Sequence, residues 1–163
     1  MLSKDSTKDS SLVIPTKETV VDAEKVSAYK YYMRQEEWFD YVKVGYELVT
    51  EHAAMLSVKL DHIAESQIVH IFARNLRRTD IGSQPIAILM MEAVQSNNKK
   101  ALSIVGDECL LIQSFPLKKH RWPSDTYYID MGTIGYGLAG NTVMENNFIP
   151  ASKILNSMFH TQL

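Results

Sequence analysis

Gly135-Tyr136-Gly137-Leu138-Ala139-Gly140 matches G-x-G-x-x-G, the pattern that cradles a dinucleotide's diphosphate when it joins a strand to a helix. That chemistry also needs a subsequent β-α-β unit with an acid about twenty residues on. The stretch after Gly140 is too short for such a unit, and no residue beyond Glu145 is acidic. The motif fails on context. Gly135, Tyr136, Gly137 and Gly140 are therefore read as allowing close packing, or as lining a pocket along Gly132–Gly140.

The histidines raise metal binding. His52, His62 and His70 fall in a helical pattern with Asp61 and Glu65 nearby, and His62 and Glu65 are three apart, so they share a face. A metal site in a helical bundle needs a matching pair on a second helix, and none is present. The histidines are read as surface residues, and no metal or cofactor is expected.

Lys118-Lys119-His120-Arg121-Trp122 combines cations with a ring that could stack on a base, which are the components of an anionic-partner patch. Lys118, Lys119, Arg121 and Trp122 would carry it. The whole chain has a formal charge of −2, so there is no general attraction for nucleic acid or anionic lipid, and one charged loop is ordinarily solvated. Cys109 is the only cysteine, which excludes an intrachain disulfide and fits a reducing compartment. Flanked by Leu110 and Leu111, it reads as an inert buried thiol. No serine lies in a nucleophile-elbow context and no carboxylate pair stands out, so no catalytic residue is assigned.

The elements that must position these residues are organised around Pro85 to Phe115. Ser83-Gln84-Pro85 is a helix-start signal, a hydroxyl for orphan N–H groups and then a preset φ. Ile86 to Val94 comes next almost without polar interruption, as in a helix buried on more than one side. Ser96 to Lys100 ends it. The apolar runs Ala101–Val105 and Cys109–Phe115 are split by Gly106-Asp107, a two-residue hairpin signal. Thr126–Met131 reads as a third strand and Gly132–Gly140 as a glycine-rich passage.

Residues 1–22 are rich in Ser, Thr, Lys and Asp and read as a flexible tail, leaving 23–163 as a single domain. From Asp22, apolar residues recur at three- and four-residue steps as far as Ile63, with a break expected near Met55 to Lys59. Tyr29, Tyr31, Tyr32, Trp38, Phe39, Tyr41 and Tyr46 make the first part ring-rich, and some of those rings must face outward. Tyr29, Tyr32, Trp38, Tyr41 and Tyr46 are the candidate partner-binding residues, since such rings supply contact area with a polar tip. The alternative is that most of them cap the core. Ser66 to Arg78 is helical, with Arg74, Arg77 and Arg78 near its end. Ile154, Leu155, Met158 and Phe159 share a face of a short closing helix after Pro150.

Several blocks in order resemble the small α+β subunits of TRAPP vesicle-tethering complexes. They are Glu37-Trp38-Phe39 with Leu48-Val49-Thr50, Lys59 to Ile63 through Arg78 to Gly82, Gly106-Asp107-Glu108, Pro116-Leu117, and the small residues Gly137 to Gly140. One subunit type carries an acylated cysteine just after the turn; here Gly82-Ser83-Gln84 stands there, so acylation is not supported. The resemblance implies a membrane-tethering assembly contacted through helical faces.

The expected fold is α+β: N-terminal helices packed on a small antiparallel β-meander, with C-terminal helical segments. The expected function is a non-catalytic interaction subunit of a larger assembly, binding other subunits or a second copy of itself. Its expected location is cytoplasmic, peripheral to a membrane through partners. The alternatives are a small-molecule pocket or enzyme site near Gly132–Gly140, and nucleic-acid binding through Lys118–Trp122.

Overall fold

The structure, a computed structural model, describes residues 35–115 and 124–162. Among them there are six helices and no strand: α1 Gln35–Leu56, α2 His62–Asn75, α3 Ile86–Gln95, α4 Lys99–Ser114, α5 Asp125–Leu138 and α6 Thr142–Gln162. The expected α+β fold with its β-meander is thus corrected to a helical bundle. The tail 1–22, Tyr29, Tyr31, Tyr32 and the basic run Lys118–Trp122 lie outside the described residues.

The hairpin signal at Gly106-Asp107 lies inside α4. Leu102, Val105, Gly106, Cys109 and Ile112 are buried at helical spacing, so the two apolar runs are one face of one helix. The glycine that suggested a turn is needed for packing instead. A Cβ at Gly106 would lie 2.7 Å from the Tyr136 ring, and one at Gly135 would lie 3.0 Å from the Leu102 carbonyl oxygen. A Cβ at Gly132 would meet Phe148 at 2.4 Å and Cys109 Cβ at 2.8 Å. Absent side chains let α4 and α5 approach closely. The supposed third strand, Thr126–Met131, and the glycine-rich passage to Leu138 are accordingly the one helix α5.

Helix ends obey local chemistry. Asp61 caps α2 by accepting from the Ile63 N–H at 2.7 Å, and Asn98 caps α4 by accepting from Ala101 at 3.1 Å. Ser57, with φ +53°, closes α1 inside the expected break, its N–H and that of Val58 returning to the Ala54 and Ala53 carbonyls. Gly140, with φ +81°, closes α5 in the same way. The start of α3 differs from expectation. Pro85 is itself the N-cap residue, no side chain bonds to that end, and Ser83 lies too far back to serve.

Helix α6 is the hub, packing against α1, α2, α4 and α5. It is longer than the closing helix expected after Pro150 and runs through that proline, with non-helical backbone at Asn147. Met144, Phe148, Ala151, Ile154, Leu155, Met158 and Phe159 form its buried stripe. The Phe159 ring stacks on Phe115 with centroids 4.2 Å apart and sits 5.9 Å from that of Phe72. No helix among the described residues is long and apolar enough to cross a membrane.

Helix α3 is covered on one side only. It contacts α4 and only lightly α5, so Ile86, Met90 and Ala93 are covered while Ile88, Met91 and Val94 stay about half exposed. The expectation of burial on more than one side does not hold within the described residues.

Candidate functional site

Two features stand out: a polar groove between α2 and α4, and the uncovered side of α3. The groove exists because α2 and α4 both pack on α6 without packing tightly on each other. Its volume is about 260 Å³, and it is lined by Ser66, Gln67, His70, Ile71 and Arg74 of α2 with Ser103 and Asp107 of α4. Helical periodicity gathers them. Ser66, His70 and Arg74 are successive i, i+4 positions, and so are Ser103 and Asp107.

Several of these side chains are held by other residues. Tyr136, fully buried on α5, donates its hydroxyl to Asp107 Oδ1 at 2.6 Å. The Arg74 guanidinium reaches Asp107 Oδ2 at 3.4 Å, long for a charge-assisted bond, from a half-exposed position. Gln67 Oε1 accepts from Asn141 Nδ2 at 2.8 Å, which leaves the Gln67 NH₂ group to donate elsewhere. His70 Nδ1 lies 2.8 Å from the Ser66 carbonyl oxygen, so Nδ1 carries the proton and neutral His70 has a free acceptor at Nε2.

Burial pushes the Asp107 carboxyl above the ordinary aspartate range, and the Glu108 charge adds to this. The Tyr136 hydroxyl and Arg74 act in the opposite sense. Burial likewise raises Tyr136, with the Asp107 charge and hydrogen bond reinforcing it, so the phenol remains a proton donor at neutral pH.

Beside the groove lies a second ionic cluster. Arg78, in the α2–α3 connection, donates from Nη1 and Nη2 to the two Glu108 oxygens at 2.8 and 3.0 Å. Its Nε donates to Asp80 at 2.8 Å, and Nη1 also donates to the Asn75 side-chain oxygen at 3.0 Å. Gly82, at φ +79°, turns its N–H onto Glu108 Oε2 at 2.9 Å. Burial opposes the Arg78 charge, but the hydrogen bonds to Glu108 and Asp80 outweigh it and raise its pKa. This cluster fastens the connection to α4. Sequence reading missed it, because Arg78 and Glu108 are thirty residues apart and each looks like a surface charge.

The sequence-derived candidates fall in several places. Trp38 is half-buried, its ring 5.8 Å from that of His70, and half-buried Tyr41 lies under Arg77 at 5.8 Å. Tyr46 and Phe39 are exposed, seven residues apart on one side of α1. Of the candidate rings in α1, Tyr46 is thus the exposed one, and Trp38 and Tyr41 keep part of their surface open. Gly135 and Tyr136 are in the core, Gly137 abuts the Glu145 carboxylate, and Gly140 stands in the open.

His52 is not the surface residue expected: it is buried, with Nδ1 2.6 Å from Ser157 Oγ. Exposed His62 faces Glu65 at 3.7 Å. Among the described residues no group of three or more His, Cys, Asp or Glu side chains could hold a metal ion. Cys109 is fully buried, in a helix rather than a strand, and burial pushes its thiol up to about 12.

Comparison with family models, curated proteins and solved structures gives no match, so the reading of function rests on the chain's own geometry.

Proposed function

We propose that this chain is an interaction domain that assembles through the outer side of α3, and that the occupant of that side is a second copy of the same helix. The observation that carries this reading is the row Ile88, Met91, Val94, each about half exposed on a helix whose single charged residue is Glu92. Spaced by three, these side chains lie along one side of the helix. The spacing is symmetric about Met91. In an antiparallel two-fold pair, Met91 would meet its own copy while Ile88 meets Val94, the self-complementarity that an isologous contact requires. Methionine suits the central position because its flexible side chain adapts to its neighbour. A nucleic-acid partner would find no basic group there, since the one charged residue is Glu92.

The row is short, so the association is weak, with a dissociation constant on the order of micromolar or above. Light scattering over a micromolar concentration series tests it, comparing the parent chain with Met91→Glu and with Phe39→Glu on α1. The expected result is a rise from monomer to dimer mass that Met91→Glu abolishes and Phe39→Glu leaves intact, with unchanged helical circular dichroism. A monomer at every concentration overturns the reading. So does a dimer that survives Met91→Glu or is broken only by Phe39→Glu.

A further inference from the structure

We infer that the groove between α2 and α4 binds a small zwitterion, a free α-amino acid, with its carboxylate on Arg74 and its ammonium on Asp107. This goes beyond the α3 contact and stands on separate residues. The groove presents one group of each sign, Arg74 and Asp107, joined only by the long 3.4 Å contact. An anion alone would face the Asp107 carboxylate, and a cation alone would face the Arg74 guanidinium. A ligand carrying both charges at short separation satisfies both, replacing one loose ion pair with two closer ones.

The remaining lining fits the same ligand. The Gln67 NH₂ group and the Ser66 and Ser103 hydroxyls are donors for a carboxylate. His70 Nε2, left as an acceptor by the bond at Nδ1, can take an ammonium proton alongside Asp107. The volume, about 260 Å³, is at the small end for ligand pockets and suits a metabolite of amino-acid size.

The groove is also preorganised. Asp107 is held by Tyr136, Gln67 by Asn141 and His70 by the Ser66 carbonyl. Neither Tyr136 nor Asn141 lines the groove, so ligand binding need not order Asp107 or Gln67.

The test is calorimetric titration of the full chain with each of the common free amino acids. The best of them is then compared with its N-acetyl and carboxamide derivatives, and with inorganic phosphate. The expected result is that at least one amino acid binds, and that both derivatives and phosphate bind at least about tenfold more weakly. Arg74→Gln, at a half-exposed position, should weaken the amino acid by about tenfold or more and make it indifferent to carboxamide formation, with helical circular dichroism unchanged. Failure of every amino acid to bind at millimolar concentration overturns the inference. Binding unchanged in Arg74→Gln, or phosphate binding as tightly as the amino acid, overturns it too.

Discussion

Tyr136 lies with its ring against Gly106, where a Cβ would stand 2.7 Å away, and its hydroxyl reaches the next residue, Asp107, at 2.6 Å. One glycine and its neighbour thus hold both ends of a buried tyrosine. This relationship joins α4 to α5 and fixes the carboxylate at the groove.

The packing glycines should respond in a set order. Gly132→Ala drives a Cβ into the Phe148 ring and the Cys109 Cβ, and Gly106→Ala drives one into the Tyr136 ring. Each should lose about 1–3 kcal/mol, the usual cost of overpacking. Gly140→Ala meets open space and carries only backbone strain, about 1 kcal/mol. Urea midpoints should therefore rank Gly140→Ala above Gly106→Ala and Gly132→Ala; an equal loss at all three contradicts the packing argument.

Stability should carry a pH signature of Asp107. Its pKa is raised in the folded state, chiefly by burial, so the folded chain holds its proton to higher pH than the unfolded chain. The corresponding stabilisation is complete below the unfolded value and is lost as pH rises through the folded one. Asp107→Asn keeps an oxygen for the Tyr136 hydroxyl and has no charge to bury. The stability of the parent relative to Asp107→Asn should fall from the ordinary aspartate range upward and then level off. Denaturant titrations across that range measure it, and a flat or rising difference contradicts the assignment.

The Arg78–Glu108 pair should be costly to break from one side. Arg78→Met leaves Glu108 as a buried charge without its counter-ion, a loss of about 3–5 kcal/mol, whereas Glu108→Gln leaves Arg78 paired with Asp80 and should cost less. Replacing both, as Arg78→Met with Glu108→Leu, should cost clearly less than the sum of the singles. A double-mutant cycle with additive losses would show that the two residues do not act together.

Cys109 should report on opening of the α4–α5 contact. With its thiol pushed up to about 12 and its side chain fully buried, it should resist a thiol reagent at pH 8 in the folded chain. Unfolding in urea should make it react fully. Gly132→Ala should speed the reaction before the global transition, because that glycine lies against Cys109. Rapid labelling of the parent chain would contradict the burial.

Much of the helical half was legible in order. The three- and four-residue steps marked α1 and α2, with a break expected between Met55 and Lys59 that falls at Ser57, and the buried face Ile154, Leu155, Met158 and Phe159 of α6. A local pattern is enough there, because each of those helices hides one stripe. The sheet was a misreading with a definite cause. Gly106-Asp107 between apolar runs has the same local form whether it turns a hairpin or seats a tyrosine from thirty residues away. Only the approach of α5 distinguishes them. The candidate site was less legible still, since it depends on which distant residues meet.

What the sequence by itself determined was the amphipathic stripes of α1, α2 and the end of α6, the single thiol and the absence of a large charge imbalance. These are properties of neighbouring residues and of composition. The tertiary structure decided that Gly106, Gly132 and Gly135 are contact points, and that Arg78 and Glu108 are paired. It also decided that Arg74 and Asp107 share a groove and that Ile88, Met91 and Val94 are left uncovered. Each of those facts depends on which helix faces which. That choice is set by close packing summed over the whole core, which no local stretch of sequence contains.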